Sequence, residues 1–146
     1  MGAHKTIMKK IKKALISVSD KKNLKNLLEV LSSLKIQLIS SGGTYKEIKK
    51  LKFKCLEVSE YTKSPEILGG RVKTLHPKIH AGILSKRNNK FHKKELKNNN
   101  FEEIDLVIVN FYPFEKTLEK TNNHLKIIEN IDIGGPTMVR AAAKNY

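Results

Sequence analysis

Apolar residues along the chain follow two spacings, one typical of strands and one typical of helices. Four short runs rich in β-branched residues predict buried strands: Ala14–Val18, Ile36–Ser40, Phe53–Val58 and Asp105–Phe111. Between the first two runs, leucines recur at helical spacing and predict one apolar helix face: Leu24, Leu27, Leu28, Leu31 and Leu34. Residues Thr44–Leu51 predict a shorter helix before the third strand. Strands that alternate with helices predict an α/β fold around a largely parallel sheet.

Two further segments each add a helix to the predicted fold. Ser85–Asn100 is rich in lysine and asparagine and predicts an exposed helix and loop without a function of its own. Ile131–Asn145 begins with a Gly-Gly turn and continues with good helix formers. We therefore expect a helix there with Pro136 in its first position.

The two ends of the sequence lead to an expectation about domain organisation. The sequence stops at Tyr146, inside a predicted helix whose packing partner is not evident. We therefore expect residues 9–146 to be one domain that is truncated at its C-terminus. Residues 1–8 lack the apolar stretch of a signal peptide and are interpreted as a basic leader or a cloning remnant.

The composition restricts the class of protein. A chain of 146 residues with 39% hydrophobic and 29% charged residues is long enough for one globular core. The single cysteine, Cys55, cannot form an internal disulfide, and we expect it to be a core thiol in a strand of a cytoplasmic protein. No apolar run approaches the ~20 residues of a membrane-spanning helix, so no membrane partner is expected.

The net charge of +15 raises the possibility of nucleic-acid binding. However, the chain contains 26 lysines and only three arginines, spread along its whole length, and its aromatic content is 6%. Arginine suits phosphates and guanine edges better than lysine does, and base stacking requires aromatic side chains. Nucleic acid is therefore not the expected primary partner, and most lysines are expected on solvated faces.

Polar and glycine residues that could bind a ligand follow the ends of the predicted strands. Ser17–Lys21 follows the first strand, with Asp20 as the expected N-cap of the leucine-rich helix, and Ser40–Thr44 follows the second. Ligands of parallel α/β sheets bind beyond the carboxyl ends of the strands, so both loops should face one crevice. The Gly-opened stretch Gly69–His80 adds an arginine, a lysine and a hydroxyl, Arg71, Lys73 and Thr74. Hydroxyls, glycine amides and cations together suit a phosphate oxyanion.

Other polar residues leave alternatives open. His76 and His80 have the i, i+4 spacing of a metal pair, but Pro77 disfavours a regular helix through His76 and no third ligand is nearby. Structural hydrogen bonds or substrate contacts are the favoured roles, and no metal is expected. Asp132 is either a helix cap or a site residue. Composition and spacing alone do not bring Asp132, Tyr112 and Lys144 together.

Five long motifs in this sequence carry a family resemblance: "ALISVSDK", "LISSGGT", "SPEILGGRVKTLHPKIHAGIL", "VIVNFYPFEKT" and "IENIDIGGPTMVRAAAKN". They resemble the N-terminal inosine monophosphate (IMP) cyclohydrolase domain of the bifunctional purine-biosynthesis enzyme, which is fused to an aminoimidazole carboxamide ribotide (AICAR) formyltransferase. The resemblance implies a methylglyoxal synthase-like fold, a doubly wound, mostly parallel sheet with helices on both faces. It also implies ring closure of formyl-AICAR (FAICAR) to IMP by a homodimer without cofactor or metal. The formyltransferase part has no counterpart in this sequence.

The resemblance also assigns roles to matching positions. The catalytic residues would be Lys73, which orients and stabilises the reacting groups, and Lys144, the acid/base lysine. Tyr112 and Asp132 would complete a hydrogen-bonded set that poises the proton transfers. Residues that would bind the phosphate and ribose are Ser19, Asp20, Lys21, Ser41, Gly42, Gly43, Thr44, Arg71 and Thr74. The base would meet Asn110 and the backbone of Ile133, Gly134 and Gly135. Ser17, Lys73 and Asp132 would also bind the substrate.

Two alternatives share the expected fold. Methylglyoxal synthase would also bind phosphate at such loops, but "RVKTLHPKIHAGIL" and "IDIGGPTMVRAAAKN" resemble the cyclohydrolase instead. A nucleotide- or phosphate-binding regulatory module would bind the ligand without turning FAICAR over.

Overall fold

The computed structural model describes residues 9–146, and the predicted basic leader at residues 1–8 lies outside them. One parallel sheet organises this part of the chain, with strand order β3-β2-β1-β4. The strands are β1 (Lys13–Val18), β2 (Gln37–Ser40), β3 (Leu56–Glu57) and β4 (Leu106–Asn110). The prediction of a parallel α/β fold is confirmed.

Helices connect the strands and cover both faces of the sheet. They are α1 (Leu24–Ser33), α2 (Gly42–Lys50), α3 (Val58–Thr62), α4 (Pro77–Leu84), α5 (Lys90–Asn98), α6 (Phe114–Lys120), α7 (His124–Glu129) and α8 (Gly134–Lys144). A short 3-10 turn at Leu68–Gly70 lies between α3 and α4. No helix in the described part of the chain has the length and apolar character to cross a membrane.

The core consists of two hydrophobic clusters, one on each face of the sheet. On one face, Ala14 and Ile16 of β1 pack with Leu28 of α1, which carries four of the five predicted leucines, whereas Leu34 follows the helix and is exposed. On the other face, Leu15 packs with Ile79 of α4 and with α3 and α8. Successive residues of β1 thus point into opposite clusters, as the alternation of side chains along a strand requires.

The third strand is shorter than predicted. The pattern predicts Phe53–Val58, but only Leu56 and Glu57 pair with β2, because β3 lies at the edge of the sheet and Val58 already begins α3. Cys55 therefore precedes the strand, although its thiol packs partly buried against the first cluster. Burial raises the pKa of this thiol to about 12, so it stays protonated at neutral pH.

Helix starts also differ from the predictions. Asp20 is not the N-cap of α1: its carboxylate accepts a bond from the amide of Lys22, and Asn23 occupies the cap position. Helix α2 begins at Gly42, two residues before the predicted start. Pro136 is the third residue of α8 instead of the first, a position in the first turn that needs no backbone donor.

The lysine-rich segment Ser85–Asn100 contains the predicted exposed helix, α5, but its beginning is structural. Ser85 is buried, and the half-buried Arg87 donates from Nη1 to the carbonyl of Ser85 at 2.6 Å and from Nη2 to that of Ile104 at 2.6 Å. The guanidinium thereby ties the end of α4 to the approach to β4. The interpretation of the whole segment as a solvated surface is wrong at this end.

Candidate active site

A cavity of about 520 Å³ opens at the carboxyl edge of the sheet, where the strand-end loops were predicted to meet. Loops after β1, β2 and β4 form one side, and the 3-10 turn, the end of α7 and the start of α8 form the other. Predicted site residues that line it are Ser17, Ser19, Lys21, Ser41, Gly42, Gly43, Thr44, Arg71, Lys73, Thr74, Asn110, Tyr112, Asp132, Ile133, Gly134 and Gly135. Asp20 and Lys144 are not among the lining residues.

The loop after β1 is held by Asn110, at the end of β4. The Asn110 side-chain oxygen accepts the amides of Ser19 at 2.5 Å and Asp20 at 3.1 Å, and its Nδ2 donates to the Asp20 carbonyl at 2.9 Å. Both ends of this amide are therefore engaged in shaping the loop, although the resemblance implies a contact with the base. Lys21 donates to the carbonyls of Val18 and Ser19, each at 3.2 Å.

The N-terminus of α2 points into the cavity. Ser41 is its cap residue in extended conformation, and Gly42 and Gly43 form its first turn. Amides of a first helical turn have no partner within the helix and attract anions. Thr44 has a structural role, because its buried hydroxyl donates to the carbonyl of Val18 at 3.0 Å and accepts the amide of the same residue at 3.1 Å.

Two ammonium groups lie close to this helix terminus. A Cβ placed on Gly42 would lie 2.8 Å from the Nζ of Lys73, and one placed on Gly43 would lie 3.8 Å from the Nζ of Lys21. The terminus already carries the positive end of the helix dipole, so cations next to it are unfavourable without a compensating anion. Glu66, whose Oε1 lies 3.7 Å from the Nζ of Lys73, supplies part of that charge. The arrangement therefore favours binding of an anion.

Asp132 is both a helix cap and a cavity residue, the two roles that its sequence position left open. Its Oδ1 accepts the amide of Gly135 at 2.9 Å, so it caps the first turn of α8 from two residues before the helix. Its Oδ2 accepts the amide of Tyr112 at 3.2 Å, just beyond β4. The carboxylate is thus fixed between two backbone segments while it lines the cavity. Tyr112 is half exposed there.

The rim of the cavity beside α8 is closely packed. Thr74 is buried, and a Cβ placed on Gly134 would lie 3.0 Å from its hydroxyl oxygen. Thr74 and the start of α8 can approach this closely because Gly134 carries no side chain. The RVKT stretch and the IDIGG stretch, which are about 60 residues apart in sequence, therefore form one wall.

Lys144 is the predicted catalytic residue that the structure does not bring to the cavity. It is the last residue of α8 and is exposed, whereas the first residue of the same helix, Gly134, lines the cavity. Ten residues of helix correspond to about 15 Å along the axis. Lys144 therefore lies at the far end of the helix from the residues of α8 that line the cavity.

Both histidines form hydrogen bonds with the backbone of nearby residues. The Nδ1 of His76 accepts the amide of Lys78 at 3.0 Å, so His76 caps α4, and Pro77 begins the helix. Burial lowers the pKa of His80, against the opposing effect of a hydrogen bond with the backbone of Thr74. Within residues 9–146, no cluster of three His, Cys, Asp or Glu side chains could hold a metal ion.

Several cavity residues were missed by the sequence analysis. Glu129 forms an ion pair with Arg71, and three apolar side chains, Ile128, Ile131 and Met138, also line the cavity, as do Val18, Gly69 and Gly70. Glu129 and the three apolar residues all lie in the quoted motif "IENIDIGGPTMVRAAAKN", so the motif contained a signal for the segment. Its individual contacts depend on how α7 packs, which no local pattern reveals.

The fold and the cavity together define an α/β domain with a cavity at the carboxyl edge of its parallel sheet, lined by cations and by the amides of a helix N-terminus. The chain belongs to the MGS-like domain family, whose model matches residues 23–137.

Relatives of the chain come from purine biosynthesis. It is 54% identical over 134 residues to the bifunctional purine biosynthesis protein PurH of Prochlorococcus marinus, and 55% identical over 137 residues to PurH of Acetivibrio thermocellus. These matches cover 91% and 93% of the chain but only 26% and 27% of the relatives, so the chain spans about a quarter of their length. Among solved structures, that of ForH has a TM-score of 0.79 and 32% identity, over 92% of this chain and 69% of ForH.

Proposed function

We propose that this domain is an IMP cyclohydrolase, which closes the ring of FAICAR to give IMP and water. The observation that carries the proposal is the set of cations and helix amides around the N-terminus of α2, in the same cavity as the fixed carboxylate of Asp132. A ribonucleotide needs an anion subsite for its phosphate and polar groups near its base. The similarity to PurH supports the choice of a purine-biosynthesis substrate.

The proposed reaction joins two groups of one substrate. The carboxamide nitrogen attacks the formyl carbon, a tetrahedral carbinolamine forms, and loss of water from it gives the closed ring. Holding both groups in an attack geometry removes a large part of the barrier. A cation near the formyl oxygen stabilises the charge that develops there, and we assign this role to Lys73.

Proton transfers complete the proposed mechanism. The nitrogen must lose a proton, and the carbinolamine oxygen must gain one before water leaves. We assign the positioning of these transfers to Asp132 and the hydroxyl of Tyr112, which line the same part of the cavity. The acid/base role of Lys144 stays a prediction, and its exposed position on the last turn of α8 makes Lys144→Ala the direct test of it.

Other properties of the family are proposed with this function. We propose that the domain works without cofactor or metal, as a homodimer in the cytoplasm, and that it acts next to an AICAR formyltransferase domain, as the bifunctional relatives suggest.

A regulatory module that binds a nucleotide without turnover is the second candidate. The position of Lys144 favours it, because one of the four side chains expected to be catalytic is absent from the cavity lining. Such a module would bind IMP with the same phosphate subsite and would leave FAICAR unchanged.

Turnover of FAICAR, followed by ultraviolet absorbance at physiological salt, separates the two candidates. We expect the wild type to form IMP and Lys73→Ala to lose about 10²- to 10³-fold in kcat with its circular dichroism spectrum unchanged. Lys93→Ala, which removes the same charge from the exposed face of α5, is the matched control and should keep the wild-type rate. A wild type that binds IMP in calorimetry but forms none would favour the regulatory module.

A further inference from the structure

Arg71 and Glu129 form a two-point ion pair at the rim of the cavity. The Nη2 of Arg71 lies 2.5 Å from the Oε2 of Glu129, and its Nε donates to Oε1 at 3.4 Å. Both side chains line the cavity, and each is more than half exposed. The hydrogen bond lowers the pKa of Glu129 and raises that of Arg71, so both groups are charged at neutral pH.

The pair uses only one edge of the guanidinium. Nε and Nη2 face the carboxylate, while no hydrogen bond or ion pair within residues 9–146 engages Nη1. A guanidinium presents five N–H donors in a fixed plane, so binding one edge fixes the direction of the other. The edge that contains Nη1 therefore remains free to donate to a ligand.

The pair also connects two segments that contain no buried residue. Arg71 ends the 3-10 turn at Leu68–Gly70, which contains no buried residue. Glu129 is the last residue of α7, which likewise buries none of its side chains. Without Glu129, the long side chain of Arg71 would sample many rotamers at this exposed position.

We propose that Glu129 is a positioning residue, which holds the guanidinium of Arg71 so that its free edge meets the anionic group of the nucleotide. This inference rests on the proposed function, because it names Arg71 as a donor to that ligand. Glu129 itself does not touch the ligand in this proposal and acts only through Arg71.

The sign of the effect distinguishes positioning from a simple effect of charge. Removing a negative charge beside an anion site should by itself strengthen anion binding, by Coulomb's law. If Glu129 positions Arg71, neutralising the carboxylate should instead weaken binding. A control with the same change of charge away from the cavity is Glu119→Gln, on the exposed face of α6.

The experiment measures the Kd for IMP by calorimetry in the full chain at physiological salt. The proteins compared are the wild type, Glu129→Gln, Glu119→Gln, Arg71→Lys and the double variant that combines Arg71→Lys with Glu129→Gln. We expect Glu129→Gln to raise the Kd about threefold to fivefold, in keeping with the modest strength of an exposed ion pair. Glu119→Gln should match the wild type. Arg71→Lys should raise the Kd when Glu129 is present. It should change the Kd little in the Glu129→Gln variant, because the two residues act as one unit. With FAICAR, Glu129→Gln should raise KM and leave kcat within about twofold.

Three results would overturn the proposal. Tighter binding by Glu129→Gln would show that the carboxylate competes with the ligand for Arg71. A Kd equal to that of Glu119→Gln, or fully additive effects of the two substitutions, would show that Glu129 does not act through Arg71. These results leave the proposed function intact, whereas a wild type that binds no IMP would overturn both.

Discussion

The position of Lys73 depends on two glycines. Gly42 and Gly70 have φ of +56° and +83°, and both lie against the Lys73 side chain. A Cβ on Gly70 would overlap the Lys73 Cε and lie 2.5 Å from the Oε1 of Glu66, the counter-ion of that lysine. The absence of a side chain at Gly70 is therefore a condition for the ammonium to lie where it does.

Alanine at Gly70 should lower turnover more than it lowers stability. Gly69 is the matched control, because it has a similar φ of +62° but no atom within 4 Å of an added Cβ. We expect both Gly70→Ala and Gly69→Ala to lose about 1–2 kcal/mol of unfolding free energy from backbone strain. Only Gly70→Ala should displace Lys73, and its kcat/KM for FAICAR should fall at least about tenfold.

Urea denaturation and FAICAR kinetics on the two alanine variants test this prediction. Equal loss of kcat/KM in both variants would show that the strain of the turn, and not the contact with Lys73, matters for activity.

At the scale of single residues, a site position could be predicted where it directly follows the end of a strand. Ser17, Lys21, Ser41 and their neighbours were found because the carboxyl ends of parallel strands meet, which is a property of the fold class. Glu129 was missed because its contact with Arg71 spans 58 positions and follows no local periodicity. Lys144 was expected at the site because the family resemblance assigned its role, although the length of the predicted helix already places it about 15 Å from Gly134.

At the scale of elements, prediction succeeded where one apolar pattern determines burial. Strands β1, β2 and β4 and helix α1 match their predicted segments within a few residues. Strand β3 was predicted too long, because pairing with β2 ends after two residues, and strand length depends on the neighbouring strand. Helices α6 and α7 were not predicted, since neither buries a residue and so neither has a one-sided apolar pattern directed at the core.

Asp105 connects two of the correctly predicted strands. Its Oδ2 accepts the amides of Lys12 at 2.9 Å and Lys13 at 3.2 Å, at the start of β1, and it immediately precedes β4. The Nζ of Lys9 lies 3.0 Å from its Oδ1. Burial acts to raise the pKa of Asp105, but these hydrogen bonds and the Lys9 charge outweigh burial and lower the pKa below its usual value.

Neutralising Asp105 should therefore reduce stability in a way that depends on pH. A carboxyl whose pKa is lower in the folded state contributes stability above its unfolded pKa, near 3.8, and loses that contribution as the pH falls through the folded value. We expect Asp105→Asn to lose about 1–2 kcal/mol at pH 7. The difference from the wild type should shrink below about pH 4.

Urea denaturation from pH 7 to pH 3 measures this difference, with Glu115→Gln on the exposed face of α6 as the control for lost charge. A difference between the wild type and Asp105→Asn that stays constant over the whole range would contradict the assigned role of ionisation.

At the scale of the whole molecule, charge is distributed unevenly along the chain. Residues 101–146 contain five of the 29 basic residues but seven of the 14 acidic ones, so this segment has a net charge of −2 and the excess positive charge lies entirely in the first 100 residues. The same segment exposes large apolar side chains outside the cavity, including Phe111, Phe114, Leu118 and Leu125. Protein interfaces are rich in aromatic residues and poor in lysine, and this segment, with four lysines in 46 residues, comes closer to that composition than the rest of the chain does.

The proposed homodimer should use the exposed apolar side chains of this segment, because a chain of net charge +15 would repel its copy most strongly through its lysine-rich first 100 residues. A twofold interface brings the same patch of both copies together, so one lysine introduced there acts twice. We expect the wild type to sediment as a dimer and Leu118→Lys to raise its dissociation constant at least about tenfold, since each copy would bury an unpaired charge. Phe91→Lys, at an exposed position of α5, adds the same charge elsewhere and should remain dimeric.

Sedimentation velocity at several protein concentrations tests whether Leu118 lies in the dimer interface. Equal behaviour of the two variants would place the interface on another face, and a monomeric wild type would remove the dimer from the proposed function.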